Sequence, residues 1–528
     1  MHPPAVSRCA PSRFKQGRNS YKNPSQREMQ ERTMKQQSGV SYTTVDKSYF
    51  EQRGLRRYAG VWSLWALGVG AVISGHFSGW NFGLANGWGS MLIAAIIIAI
   101  MYLGLTFSLA EMSPALPHTG GAYSFARSAM GPWGGFLTGL AENVEYVLTP
   151  AVIVFFIGSY MGGIFGTPSE YQPLWWIGFY VVFIWLNVIG VELSFKVTLV
   201  VTLLALACLV VFWISALPHI DFNRFAMNVG PGGVELPEGN GPFLPNGLLG
   251  VLAAMPFAVW LFLAIEQLPL AAEESVDPKR DMPKGIILGM FTLILSAFMI
   301  LWLNPAVSGV GSHALGSSGE PLLDGFKAIY GDDIAKLLAL VAVLGLVASF
   351  HTIIFAMGRQ IYSLSRAGYF LPQLSITHGQ RKTPHVAMLI GSLMALAVMM
   401  TLWFIFGEEK GGAVIGGTLL NMAVFGAMFS YFMQALSFIL LRRKMPDIER
   451  PYRSPLGVPG AVLTMLIAAV TLYFQLTGDP AYTLGVFWVA VWFAIGITYF
   501  AIVGRHRLIL SPEEEFAMEQ REKDKTNN

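Results

Sequence analysis

Apolar residues in this 528-residue chain come in long unbroken blocks, not in the alternating or one-faced patterns of soluble strands and helices. About twenty apolar residues cross a bilayer core as a helix. Runs of that kind occur at 61–84, 89–112, 133–160, 174–190, 197–217, 248–271, 286–307, 334–358, 385–406, 413–440, 458–476 and 482–503. The pattern predicts an all-α membrane protein of twelve transmembrane helices. No Gly/Ser linker divides residues 58–508, so one twelve-helix domain is expected. The longest polar connections, 218–246 and 308–333, are rich in Pro and Gly and are expected to cover the outer mouth. Residues 1–57 are polar, lack the apolar core of a secretory leader, and are expected to form a disordered arm. Met29 and Met34 are alternative starts. Residues 509–528 form a tail ending SPEEEFAMEQREKDKTNN, expected to be solvated.

Two of the blocks are interrupted by residues that suit neither a helix nor lipid. The first contains GAVISGHFSGWNFG at 70–83, and the sixth reads FAVWLFLAIEQLPLAAEES from Phe257, with Glu266, Gln267 and Pro269 inside it. Backbone off the helix at membrane depth is tolerated only inside protein or beside a watery cavity. Broken helices one and six, five spans apart, are the mark of transporters built from two inverted five-helix repeats. At 1.5 Å per residue, Ile73–His76 lies roughly 22–27 Å from the start of the first block, and Phe262–Glu266 about 22–28 Å from the start of the sixth. The two blocks enter from opposite sides, so the interruptions meet near mid-membrane.

Charge fixes the expected orientation. Only Arg224, Lys327, Lys336 and Lys410 of 35 basic residues fall outside if both termini are inside. That is the positive-inside arrangement, and it predicts cytoplasmic N and C termini in the plasma membrane. The charged fraction is 13%, against roughly a quarter in soluble chains. The net charge of +3 reflects this arrangement and gives no reason to expect nucleic acid. Cys9 and Cys208 are not spaced for a disulfide framework or a metal site. No H-E-x-x-H, Walker loop or G-x-S-x-G occurs, so neither an enzyme nor a cofactor is expected.

Ionisable residues in hydrocarbon cost several kcal/mol unless paired or wet, which makes them candidates for function. Glu142 and Glu145, in LTGLAENVEYVLTP, lie roughly 15 and 20 Å into the third helix. At i,i+3 spacing they share a face. Either they line a site or they hold two helices together. Glu266 sits at the second break. Trp260 either offers a π-face to an ammonium group or packs in the core. His76 has three readings: a donor to a substrate hydroxyl, a proton-coupling group, or a satisfied buried histidine. His351 is expected to make a structural hydrogen bond. Glu111 is expected to anchor the inner gate. Glu273 and Glu274, with Lys279 and Arg280, form either a gate latch or a solvated turn.

Four ordered segments carry a family resemblance: AEMSPALPHTGGAYSFAR through Glu111, Pro117, Gly120, Gly121 and Tyr123; AAEESVDPKRDMPKG; YSLSRAGYFLP; and RPYRSPLG. Across its twelve spans the chain resembles the amino acid, polyamine and organocation permeases. ISGHFSGWNFGL and AENVEYVLTPAVIV are most similar to the ethanolamine permeases. The resemblance implies a substrate site at the unwound parts of helices one and six, closed by helices three, eight and ten. That site would use Ile73–His76, Phe262 and Ala264 together with Glu142, Glu145, Trp260 and Glu266. It also implies a Trp260 that faces substrate, as in the arginine and agmatine exchanger.

The departures matter as well. Ser74, Gly75 and His76 replace the G-S-G whose amides meet a substrate carboxylate, which fits a substrate lacking one. Ala205 stands where some coupled relatives have lysine, leaving proton or sodium open as the coupling ion. The expected function is import of a small cationic amine, ethanolamine foremost, by alternating access. Its ammonium would dock between freed carbonyls and carboxylates, and its hydroxyl would reach Ser74, His76 or Asn143. An amino-acid permease or exchanger is the alternative, and a transporter-shaped sensor a remote one.

Overall fold

A computed structural model describes residues 39–43, 45, 47–406, 411–477 and 480–527. Met29, Met34, Cys9 and Lys410 lie outside the described residues. Among the described residues eleven helices are long and apolar enough to cross a membrane, and a bent pair, taken as one span, brings the number to twelve. In order they are span 1 (Val61–Phe77 with Trp80–Asn86, bent by 41°), span 2 (Trp88–Ala115), span 3 (Pro132–Phe165) and span 4 (Ser169–Ile189). There follow span 5 (Glu192–His219), span 6 (Gly247–Glu274), span 7 (Pro278–Ala306) and span 8 (Asp332–Arg366). Span 9 (His385–Phe406), span 10 (Val414–Lys444), span 11 (Gly457–Thr477) and span 12 (Tyr482–His506) complete the set.

Spans 3 and 8, at 34 and 35 residues, outrun their apolar blocks. At 1.5 Å per residue each is about 50 Å long, well beyond a hydrocarbon core of about 30 Å. Local signals stop span 3: Pro132 opens it, and Gly166 ends it in the left-handed region at φ 64°. Span 8 continues past the apolar block because its last turns bury Arg359 and Arg366 against carboxylates. Spans 3, 6 and 8 are largely enclosed, whereas spans 4, 9 and 12 present most of their surface outward to lipid.

Packing repeats under a shift of five spans. Span 1 packs on span 5 as span 6 packs on span 10, and span 2 on span 6 as span 7 on span 1. Span 3 packs on spans 4 and 10 as span 8 packs on spans 9 and 5. Even the short helices correspond. Gly121–Met130 precedes span 3 and packs on spans 3 and 10, and Pro321–Tyr330 precedes span 8 and packs on spans 8 and 5. Because five is odd, corresponding helices run in opposite directions, so the two halves are inverted.

The two ends of the described chain meet on one face, where Tyr42–Thr43 pairs in parallel with Leu508–Ile509. The expected disordered arm therefore has an ordered end: Lys47–Glu51 is a helix, and Arg53 is buried, donating to Ser375 Oγ at 2.7 Å. The expected solvated tail is also corrected. Pro512–Asn527 is a helix whose Glu513 and Glu514 are buried, because arginines and tyrosines of the core accommodate them.

Candidate substrate site

The first interruption is smaller where it was expected and larger one turn later. Ile73 keeps right-handed helical angles, φ −60° and ψ −24°. Between Gly70 and Ser74 a hydroxyl from span 8 enters the hydrogen-bond ladder: Ser349 Oγ donates to Gly70 O at 2.6 Å and accepts from Ser74 N at 2.8 Å. The chain turns fully at Ser78, which is extended, and Gly79, at φ 92°. Asn81 holds that turn. Its Oδ1 accepts from Gly79 N at 2.9 Å, and its Nδ2 donates to Leu315 O and Ser318 O.

Span 6 is helical to Trp260 and then passes through turns to Ala264, at φ 83° and ψ 6°. A left-handed alanine costs about 1–2 kcal/mol, so the surroundings impose this conformation. A 3₁₀ segment, Ile265–Glu274, completes the span. Runs of that geometry longer than three or four residues are uncommon and often mark hinges.

The two breaks cross in direct backbone contact. A Cβ on Gly75 would lie 2.2 Å from Trp260 O, so only glycine fits. The Trp260 indole donates to Ser78 O at 3.0 Å. His76 Nε2 donates to Leu261 O at 2.9 Å, which leaves Nδ1 to accept from Ser296 Oγ at 2.8 Å. Both ring nitrogens are used, and the side chain is fully buried. Of the three readings, this geometry is that of the satisfied histidine. Tyr160 donates to Phe77 O at 2.9 Å. The carbonyls of Phe77, Ser78 and Leu261 are thus already engaged, contrary to the expectation that freed carbonyls await an ammonium group.

What stands open is carboxylate. Glu142, Glu145 and Glu266 are buried together, with Glu145 and Glu266 within hydrogen-bonding reach of each other. Tyr146 donates to Glu266 Oε1 at 3.3 Å, Tyr431 to Glu145 Oε1 at 3.1 Å, and Tyr102 to the Tyr431 hydroxyl at 3.2 Å. Phe262 adds an apolar wall, its ring 5.5 Å from that of Tyr102. Glu142 lies against the backbone amide of Tyr123, at the start of the helix Gly121–Met130. Each of the three carboxylates keeps one buried oxygen without a protein donor. Among the described residues no ion pair includes any of them. A buried carboxylate without a counter-charge is unfavourable by several kcal/mol, and all three of these share that situation.

Asn143 is not part of it. Its amide donates to Gln360 Oε1 at 3.4 Å, and it borders an apolar groove of about 520 Å³ between spans 3, 9, 10 and 12. Helical geometry explains the separation, because a residue between Glu142 and Glu145 faces away from both. Tyr102, Tyr146 and Tyr431 were missed by sequence reasoning. Tyr146 follows Glu145 directly and could have been noticed, whereas Tyr102 and Tyr431 sit in apolar runs with no local signal.

The residues expected at the gate divide similarly. Glu111 takes Arg442 at 2.6 Å, Arg450 at 3.2 Å and the amide of Ser454 at 2.7 Å. Glu273 pairs with Arg366 at 2.7 Å and Glu274 with Arg359 at 2.8 Å. The carbonyl of Glu274 accepts from the amides of Tyr58 and Ala59, tying the start of span 1 to the end of span 6. Arg280 is exposed and has no ion pair among the described residues, and Lys279 reaches Glu449 instead. The arginines that pair with Glu273 and Glu274 come from span 8. His351 is fixed by Asn187 and Ser194.

On the face opposite the termini, a polar cavity of about 420 Å³ is lined by Ser159, Gln172, Ser318, Glu320 and Asp324. Burial, reinforced by neighbouring Asp324, pushes the Glu320 carboxyl from its ordinary 4.5 up to about 7. Between those values the folded state holds a proton that the unfolded chain releases, so stability falls as pH rises through this window and stays low above it. Glu320→Gln is therefore expected to raise the melting temperature at pH 8 and to leave it nearly unchanged at about pH 4, below both values, measured by thermal unfolding of the purified protein.

Twelve spans in two inverted halves, with buried carboxyls beside the crossing of two broken helices, define a membrane transporter. Over residues 60–502 the sequence matches the amino acid permease family, and the chain belongs to it. It is similar to the methylthioribose transporter of Bacillus subtilis (strain 168), at 25% identity over 87% of this chain and 96% of that protein. The branched-chain amino acid permease BcaP of the same organism is 24% identical, over 86% and 94%. The large neutral amino acids transporter small subunit 2 of Mus musculus is 26% identical, over 82% of each chain. The family and these relatives are transporters, not enzymes.

Proposed function

We propose that this permease carries a small cationic amine, with ethanolamine as the substrate, into the cell by alternating access. The observation that carries the reading is the cluster of Glu142, Glu145 and Glu266, three buried carboxylates with open oxygens and no basic partner among the described residues. An ammonium group supplies the missing charge, and Tyr102, Tyr431 and Phe262 bound the space around it. Trp260 and the Ile73–His76 segment then act as the crossing that moves, not as direct ligands. The basic residues concentrated near both termini favour a cytoplasmic location for that face. Glu320 and Asp324 at the opposite mouth would draw a cation in.

An amino-acid substrate is the second reading, favoured by the names of two of the relatives. Its carboxylate would need open amides at the first break. There the Ser74 amide is taken by Ser349, and Gly75 lies against the Trp260 carbonyl. Uptake of labelled ethanolamine into proteoliposomes, with an imposed proton or sodium gradient and with amino acids as competitors, tests both the substrate and the coupling ion. Stronger competition by an amino acid than by unlabelled ethanolamine would defeat the amine reading.

A further inference from the structure

The face that carries both termini holds buried charges that substrate binding does not require. Glu513 and Glu514 are at most 1% exposed, although their neighbour Glu515 is exposed. Glu513 accepts from Arg366 at 2.5 Å and from Ser363 Oγ at 3.4 Å. Glu514 accepts from the hydroxyls of Tyr42, Tyr369 and Tyr123 at 2.8, 2.9 and 3.3 Å, and pairs with Arg127. The preceding strand is seated by backbone: Ile509 N donates to Ala367 O at 2.9 Å, and Leu508 N to Ser41 O at 3.2 Å. A Cβ on Gly368 would lie 2.4 Å from Arg507 O, so the tail rests directly on the turn after span 8.

The two arginines sit where span 6 meets span 8 and the helix Gly121–Met130. Arg366 also holds Glu273 at the end of span 6, so one guanidinium joins span 6, span 8 and the tail. Arg127 lies in the helix Gly121–Met130, which packs on the last part of span 6, where Leu270 lies against Gly121. Opening toward this face requires span 6 to part from span 8 and from that helix. A tail bound to both resists the parting, and burying two carboxylates against two guanidiniums is too costly to be incidental.

We propose that Arg127 and Arg366 form a docking site for the chain's own acidic segment Ser511–Glu514, which clamps the carrier shut on the face of the termini. Release of the tail is then a step in the transport cycle. This inference rests on the alternating-access reading but not on the identity of the substrate.

The test uses full-length protein in nanodiscs, with Cys9 and Cys208 replaced by serine and Leu270, which is 1% exposed, replaced by cysteine. The readout is the rate of labelling by a hydrophilic maleimide, with no substrate present. E513Q/E514Q is expected to raise that rate about tenfold or more, a shift of the closed–open equilibrium. E515Q is expected to leave it unchanged, and an excess of the synthetic peptide SPEEEFAM to slow the double variant again. An unchanged rate in folded E513Q/E514Q overturns the clamp. Should the double variant not be recovered, E513Q alone, which keeps the Arg127–Glu514 pair, decides in the same way. Failure of amine transport with tail-dependent labelling intact would count against the substrate alone.

Discussion

Glu266→Gln is expected to reduce ethanolamine uptake by at least about 30-fold while leaving the folded protein as stable as before or more so. The substitution keeps the volume and an oxygen to accept from Tyr146, and it replaces one of three clustered carboxyls by an amide that can never carry charge. Removing one member of a buried charge pair costs about 2–5 kcal/mol of binding, which sets the size of the loss. The unliganded carrier, by contrast, is relieved of a desolvated carboxylate. Opposite movements of uptake and melting temperature therefore distinguish a ligand from a structural residue. Uptake at the normal level would remove Glu266 from the site, and loss of folded protein in step with uptake would make it structural.

Gly75→Ala is expected to cost about 3 kcal/mol or more and to lower the yield of monodisperse protein sharply. Overpacking a core against movable side chains costs about 1–3 kcal/mol. Here the new methyl group meets the Trp260 carbonyl, which is main chain. Neither span can retreat easily, because Ser349 bridges Gly70 and Ser74 while His76 is bonded to Leu261 and Ser296. Gly178→Ala in span 4, where an added Cβ meets nothing within 4 Å, is the matched control and should be neutral or slightly stabilising. Thermal unfolding of both variants in detergent makes the comparison. Equal melting temperatures would mean that the crossing is looser than the geometry indicates.

Much of the architecture was legible in the chain itself. Twelve apolar blocks give twelve spans because each helix must satisfy its own backbone in lipid, a requirement that acts locally and leaves a direct mark on composition. The breaks in spans 1 and 6 were legible for the same reason, since glycine, proline and glutamate are conspicuous among leucine and valine. Glu142, Glu145 and Glu266 could be singled out one by one, because an ionisable residue at that depth needs an explanation wherever it stands.

Which of these groups meet, and which are already satisfied, depends on partners far away in sequence. His76 looked available until Leu261 and Ser296 took its two nitrogens, and Asn143 looked central until helical rotation turned it toward Gln360. Lys279 and Arg280 were the nearest cations to Glu273 and Glu274 along the chain, yet Arg359 and Arg366 of span 8 reach them in space. The tail was polar enough to be solvated, but buried guanidiniums and tyrosine hydroxyls offered Glu513 and Glu514 more than water does. By itself the sequence determined the spans, their interruptions and the residues too polar for lipid, since those follow from each segment's own transfer cost. Only the tertiary structure decided which polar groups are spent on one another and which remain open to a ligand, because a hydrogen bond is assigned by proximity in space.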